Sequence, residues 1–180
     1  MKKFTIKKVH ISIILIGIVY VCLSIFHSNL WFDEAYSCGI ATHSFSEIWD
    51  IGGHDVHPVL YYWVLHIIGI FTGNSIISFR IFSDISIILL GILGYTHIRK
   101  DFGEKCGILF SFMAYFFPIM TVYANEIRMY GWGMLLVTML AIYAYRLSHT
   151  NKISYWIIFG LTSLCSIYIH YYGLMAAGII

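Results

Sequence analysis

Charged residues are scarce in this chain. Only 11% of its 180 residues are Asp, Glu, Lys or Arg, whereas 59% are hydrophobic and 18% are aromatic. A soluble domain carries about 25% charged residues, so this composition excludes an ordinary soluble fold and predicts a membrane protein. The net charge of +2 says little by itself, because in a membrane the positions of the charges decide. No nucleic-acid partner is expected.

Cysteine and proline are also rare. Most of the cysteines lie in apolar runs and none forms a CxxC motif, which excludes a disulfide framework and a CxxC metal site. The four are Cys22, Cys38, Cys106 and Cys165. The only prolines are Pro58 and Pro118. Because Pro118 lies within an apolar run, we expect it to kink that helix near one end.

Long apolar runs dominate what is present. A helix needs about 20 apolar residues to cross a bilayer, and the predicted spans are residues 9–27, 77–98, 106–124, 130–147 and 155–172. The first is too long for a signal-peptide core of about 7–15 residues, so we interpret it as a retained helix. The chain stops at Ile180 inside apolar sequence, which predicts truncation at the C-terminus. The predicted fold class is all-α and polytopic.

A sixth apolar segment, residues 58–71, decides the topology. Lys and Arg mark the cytoplasmic side. If 58–71 does not cross the membrane, nine of the eleven basic residues lie inside, and the alternative topology leaves six inside and five outside. We therefore predict a multi-pass protein of the cell membrane with a cytoplasmic N-terminus. Segment 58–71 is then an amphipathic helix at the outer surface, preceded by an outer loop, 28–57, that forms the active face.

Two adjacent carboxylates, Asp33 and Glu34, follow the first span directly. Carboxylates at a span end are costly and are usually functional. A carboxylate at the lip of a membrane cavity can take a proton from an incoming hydroxyl, which favours Asp33 as a general base. The alternative is structural, with Asp33 capping a short helix that begins near Ala35.

The outer loop also contains His54, Asp55 and His57. These residue types within four positions could bind a divalent metal or a phosphate, although a pair of histidines without further ligands is a weak metal signal. The alternative is a polar turn before a helix opened by Pro58. Together with Glu126, these three residues are the candidates for a divalent metal ion, which would be the only cofactor.

Two arginines remain on the outer side in this topology. Arg80 lies near the outer end of the second span, where it suits a lipid-linked phosphate or, alternatively, pairs with Asp84 four residues on. Arg128 lies in the polar break between two later spans. Its neighbours Glu126 and Tyr130 are residue types that contact substrates. The alternative to a substrate site is an ion pair at the protein surface. His170, at the next outer hairpin, is a further candidate for lining the cavity.

These motifs, in this order, resemble those of GT-C-class membrane glycosyltransferases. The resemblance rests on the Asp33-Glu34 pair, the His57-Pro58-x-Leu60-Tyr61-Tyr62 segment, Arg80 in its Phe-Arg context, and Glu126-Ile127-Arg128-Met129-Tyr130. Within that class the chain is similar to the family-39 group, which is related to protein O-mannosyltransferases and to the aminoarabinose transferase of lipid A. Most members of that group are more than twice as long, and many read His-Pro-Pro where this chain has His57-Pro58-Val59.

The resemblance implies a GT-C-like helical bundle whose large first outer loop contains juxtamembrane helices. It implies a hexosyl transferase of cell-envelope glycosylation that takes its sugar from a polyprenyl-phosphate donor. Asp33 matches the catalytic base and Glu34 its supporting neighbour. The implied substrate-binding residues are His57, Tyr61, Arg80, Glu126, Arg128 and Tyr130. The acceptor is a protein, lipid or glycan hydroxyl. Two alternatives stay open: a lipid-linked sugar flippase or transporter, and an inactive fragment of a split glycosyltransferase.

Overall fold

The computed structural model describes residues 2–26 and 29–180, and in this part of the chain every regular element is helical. His27, the predicted end of the first span, and Ser28, the predicted start of the outer loop, lie outside the described residues. The helices are α1 (Lys2–Leu23), α2 (Phe32–Ala41), α3 (Phe45–Gly52), α4 (Leu60–Thr72), α5 (Ile76–Leu93), α6 (Arg99–Phe102), α7 (Glu104–Phe116), α8 (Pro118–Asn125), α9 (Tyr130–His149), α10 (Ile153–Ile169) and α11 (Tyr171–Ile179). The predicted all-α fold class is confirmed.

Among the residues that the structure describes, two helices are long and apolar enough to cross a membrane. They are Ile6–Leu23, within α1, and Ile76–Phe102, in which a π-helical turn (Gly94–Ile98) joins α5 to α6. The first two predicted spans therefore correspond to single helices, in keeping with a polytopic membrane protein. The last two predicted spans, 130–147 and 155–172, correspond to α9 and the shorter apolar helix α10. That these two cross the bilayer stays a prediction.

The third predicted span, residues 106–124, is broken in the structure. α7 and α8 meet at an angle of 57° and count as one span only if the bent pair is taken together. Pro118 is the first residue of α8, where its missing N–H and fixed φ are tolerated. Phe117 before it is extended, with φ −71° and ψ 125°, as expected for a residue that precedes proline. The predicted kink at Pro118 is confirmed.

The chain divides into two compact units. The first consists of Met1–Ser28 and Arg80–Glu126, and the second of Asn29–Phe79 and Ile127–Ile180. Within the first unit α1 packs on α7. Gly17 on α1 and Gly91 on α5 both face the ring of Tyr115, so closely that a Cβ atom at either glycine would overlap it. Small residues at such positions let membrane helices approach each other.

A buried chain of hydrogen bonds also joins α1, α5 and α7. The hydroxyl of Ser111 donates to the carbonyl of Gly91 at 2.7 Å, so it accepts from His10 Nε2, which lies 2.8 Å away. His10 and Ser111 are both fully buried. Because a buried polar group without a partner is costly, these bonds fix the register of the three helices.

The second unit is arranged around α4 and the α9–α10 pair. α4 contacts α2, α3 and α10, and α11 packs on α9 and α10. Trp49 of α3 stacks on Trp63 of α4, with ring centroids 5.7 Å apart. α4 ends at Gly73, whose φ of +65° is left-handed, a backbone conformation that glycine adopts without strain. This unit contains residues 29–57 of the predicted outer loop and residues 127–129 of the polar break after α8.

Candidate active site

The first turn of α2 separates the two adjacent carboxylates. Glu34 is 2% exposed. Its Oε2 accepts from the Trp31 N–H at 3.3 Å, and its Oε1 accepts from the Ile127 N–H at 3.2 Å. One carboxylate therefore joins the start of α2 to the segment that leads into α9. These two contacts make Glu34 a tether between the two segments, and its predicted place beside the catalytic base stays a prediction.

Asp33 points elsewhere and is about a third exposed. The alternative that Asp33 caps a helix starting near Ala35 is wrong, because α2 begins at Phe32 and Glu34 accepts from the N-cap N–H. The Oδ2 of Asp33 lies 3.9 Å from Nη2 of Arg128. Asp33 thus has an accessible carboxylate beside a cation, which is compatible with the predicted role of a base.

Arg128 is the centre of this cluster and is only 4% exposed. Its Nη1 donates to the hydroxyl of Ser37 at 3.3 Å. Its Nη2 lies 3.4 and 3.5 Å from the two ring nitrogens of His57, and its Cζ lies 5.7 Å from the centre of the Tyr130 ring. The alternative of a surface ion pair is wrong, because the guanidinium is buried.

One donor of this buried guanidinium is unused. Among the described residues, no group accepts a hydrogen bond from Nε of Arg128. Burial opposes the charge of Arg128, but Tyr62, Tyr130 and Asp33 outweigh it and raise the pKa above its ordinary value. A buried, charged and incompletely bonded guanidinium is suited to binding an anion such as phosphate.

His57 is neutral in this environment. Its pKa is lowered first by burial and then by the charges of Arg128 and His170, against weaker opposing effects of Asp55 and Asp33. The contact with Arg128 requires the same state, because a guanidinium only donates and an imidazolium has no acceptor. The prediction that His57 belongs to a site with Arg128 agrees with this contact.

His170 packs against the same cluster. Its ring lies 5.0 Å from that of His57 and 5.9 Å from that of Tyr130, measured between centroids. It is also stacked on Tyr172 at 5.1 Å. Ser37 and Tyr172 were not singled out in the sequence, although Ser37 lies four residues after Asp33 and therefore on the same face of α2.

The remaining candidates are distributed differently. Tyr61 is fully buried, with its ring edge-on to Tyr62 at 6.1 Å. Arg80 and Glu126 belong to the first unit. Arg80 is 2% exposed, and its Nη1 donates to the carbonyl of Ile25 at 3.3 Å, after the end of α1.

The candidate metal ligands do not form a cluster. His54 is exposed and its Nδ1 lies 3.0 Å from the carbonyl of Asp50. Asp55 accepts from the Tyr62 hydroxyl at 3.1 Å and from the Val56 N–H at 2.7 Å. Across residues 2–26 and 29–180, no three His, Cys, Asp or Glu side chains are grouped in a way that could hold a metal ion.

Comparison with known proteins identifies the family. The model of the dolichyl-phosphate-mannose-protein mannosyltransferase family matches residues 56–178. The match includes His57, Arg128 and Tyr130, and it leaves out Asp33 and Glu34. No curated protein and no solved structure matches the chain. Because the matched residues make up more than half of the sequence, the protein belongs to the dolichyl-phosphate-mannose-protein mannosyltransferase family, and it is a GT-C-like membrane glycosyltransferase.

Proposed function

We propose that this protein transfers a sugar from a polyprenyl-phosphate-linked donor to an acceptor hydroxyl at the outer face of the membrane. The observation that carries the proposal is the buried guanidinium of Arg128. Its Nε has no acceptor among the described residues, and its Nη2 lies 3.9 Å from Oδ2 of the accessible Asp33 carboxylate. A sugar phosphate needs a cation for its departing phosphate and a base for the attacking hydroxyl. The two side chains supply both groups side by side.

Each residue then has a defined task. Asp33 takes the proton of the acceptor hydroxyl while the acceptor oxygen forms a bond to the anomeric carbon. The bond between that carbon and the phosphate oxygen breaks, and the electron pair leaves with the polyprenyl phosphate. Arg128 stabilises the negative charge that accumulates on this phosphate. Attack opposite the leaving group inverts the anomeric configuration.

The surroundings of Arg128 support this assignment. Ser37 and His57 orient the guanidinium through Nη1 and Nη2, and no group among the described residues accepts a hydrogen bond from Nε. Fixing the direction of a charged donor before the reaction is the main source of electrostatic stabilisation in enzymes. The outer-face location rests on the distribution of Lys and Arg.

Transfer can be tested in proteoliposomes with a radiolabelled polyprenyl-phosphate mannose and extracted membrane material as acceptor. Removing a general base costs about 10²–10⁴ in rate, so Asp33→Asn should lower turnover by at least about 100-fold. Asp50→Asn, an exposed acid of the same loop, is the matched control and should keep wild-type turnover. Turnover near wild type in Asp33→Asn would overturn the assignment of the base.

The same assay separates the other functions. A flippase would move the labelled donor across the bilayer and form no covalent product. An inactive fragment would give neither translocation nor transfer. Both results would contradict the proposal.

A further inference from the structure

The side chain of His170 is held in place as the N-cap of α11. Its backbone is extended, with φ −161° and ψ 141°, and its Nδ1 accepts from the Tyr172 N–H at 3.1 Å. A nitrogen that accepts carries no proton, and this hydrogen bond therefore assigns the proton to Nε2. His170 is thus a neutral imidazole with one N–H donor, held by a helix cap.

That donor has no partner in the described part of the chain, because the hydrogen bond to the His170 ring is made through Nδ1 alone. The ring lies edge-on to His57 at an interplanar angle of 77° and against Tyr130. Both neighbours also contact the guanidinium of Arg128. His170 therefore places a spare donor beside the two rings that contact the buried cation.

We propose that His170 is a substrate-binding residue whose Nε2–H donates to the phosphate of the isoprenoid-linked donor held by Arg128. This inference rests on the function proposed above and adds a second recognition element to it. The phosphate of a polyprenyl-phosphate sugar carries one negative charge, which a single guanidinium balances. Neutral N–H donors then satisfy its remaining oxygens without adding a second charge.

Two substitutions separate this role from helix capping. Asn places an acceptor where Nδ1 of histidine lies and is a preferred N-cap residue, so His170→Asn keeps the cap and removes the distal donor. Gln reaches further, so His170→Gln restores a donor near the position of Nε2 and loses the cap. The first variant is expected to fold like the wild type.

The measurement is binding of farnesyl phosphate to the full chain in detergent, with farnesol as the ligand that lacks the phosphate. His170→Asn should weaken binding of farnesyl phosphate by about tenfold, the effect of one hydrogen bond to a charged group. Farnesol binding should not change. His170→Gln should stay within about threefold of the wild type for farnesyl phosphate while its thermal unfolding temperature falls.

The outcomes distinguish the two proposals. If the wild type binds farnesyl phosphate and Arg128→Leu does not, whereas His170→Asn binds like the wild type, His170 is only a cap and this inference is wrong while the proposed function stands. If the wild type fails to prefer farnesyl phosphate over farnesol, the phosphate site itself is absent and both proposals are overturned.

Discussion

At the residue scale, Asp33 and Glu34 are adjacent carboxylates, yet their surroundings differ. Glu34 is enclosed and accepts two backbone N–H groups, whereas Asp33 is a third exposed and faces Arg128. A carboxylate that satisfies two buried donors contributes to folding. A partly exposed carboxylate such as Asp33 is available for proton transfer.

The tether predicts a stability difference between the two carboxylates. Glu34→Gln should lower the free energy of unfolding in detergent by about 1–3 kcal/mol, because an amide NH₂ group replaces one acceptor of a buried N–H. Asp33→Asn should change it by no more than about 1 kcal/mol, as expected for a partly exposed ion pair. Denaturant unfolding measures both variants. Equal losses would contradict the division of roles.

His57 predicts a pH dependence of stability. Its folded pKa lies below the ordinary value of 6.5, mainly through burial and then through Arg128 and His170, with Asp55 and Asp33 opposing. Between the folded and unfolded pKa values the unfolded chain binds more protons, so the free energy of unfolding falls as the pH falls below about 6.5. Unfolding measured from pH 7 to pH 5 should show this decrease.

A matched pair of histidines in the outer loop identifies the source of that decrease. His57→Asn should reduce the slope, because the pKa of His170 is also lowered, by burial and then by Arg128, and His170 keeps its share. His54→Asn, at an exposed position, should leave the slope as in the wild type. If His57→Asn keeps the full slope, other groups cause the pH dependence.

At the scale of elements, helix packing in the first unit depends on the absence of side chains at a few positions. Tyr115 of α7 is fully buried, faces Gly17 and Gly91, and donates its hydroxyl to the carbonyl of Ile88 at 2.9 Å. Since a Cβ atom at either glycine would overlap the ring, the helices cannot keep their spacing unless both residues stay small.

Gly91→Ala therefore predicts overpacking. Alanine is the better helix former by about 1 kcal/mol, but the clash with Tyr115 should reverse the sign and destabilise the protein by about 1–3 kcal/mol. Gly160→Ala in α10 is the control, because a Cβ atom there meets nothing within 4 Å. It should be neutral or stabilising in thermal unfolding. Similar losses at both glycines would exclude Tyr115 as the cause.

At the scale of the whole molecule, the orientation in the membrane follows from where the basic residues lie. Nine of eleven Lys and Arg residues are cytoplasmic in the predicted topology. This topology puts Ser46, in α3, outside and Asn151, between α9 and α10, inside. Both residues are exposed, so each can be replaced by a reporter cysteine.

Cysteine labelling tests that orientation. In a background with the four native cysteines replaced by serine, Ser46→Cys should react with a membrane-impermeant maleimide in intact cells. Asn151→Cys should react only after permeabilisation, and labelling of both variants in permeabilised cells serves as the control. The opposite pattern would place the Arg128 cluster on the cytoplasmic side and refute the outer-face proposal.

The sequence by itself determined the class of protein and the residue types available for chemistry. The scarcity of charge and the long apolar runs predict an all-α membrane protein, and Pro118 predicts a kink, because composition and proline geometry act locally along the chain. The family resemblance rests on short motifs of the same kind. The structure differs from the sequence-based expectation in two local details: the third span is broken, and α2 starts at Phe32.

Only the tertiary structure decided which carboxylate is a tether and which side chains surround Arg128. Arg128 meets Ser37 and His57 across 91 and 71 residues of sequence, and Glu34 meets Ile127 across 93. Contacts over such separations leave no periodic pattern in the chain. They arise when α2, the loop before α4 and the start of α9 pack together, because most polar groups that become buried there take hydrogen-bond partners from other segments.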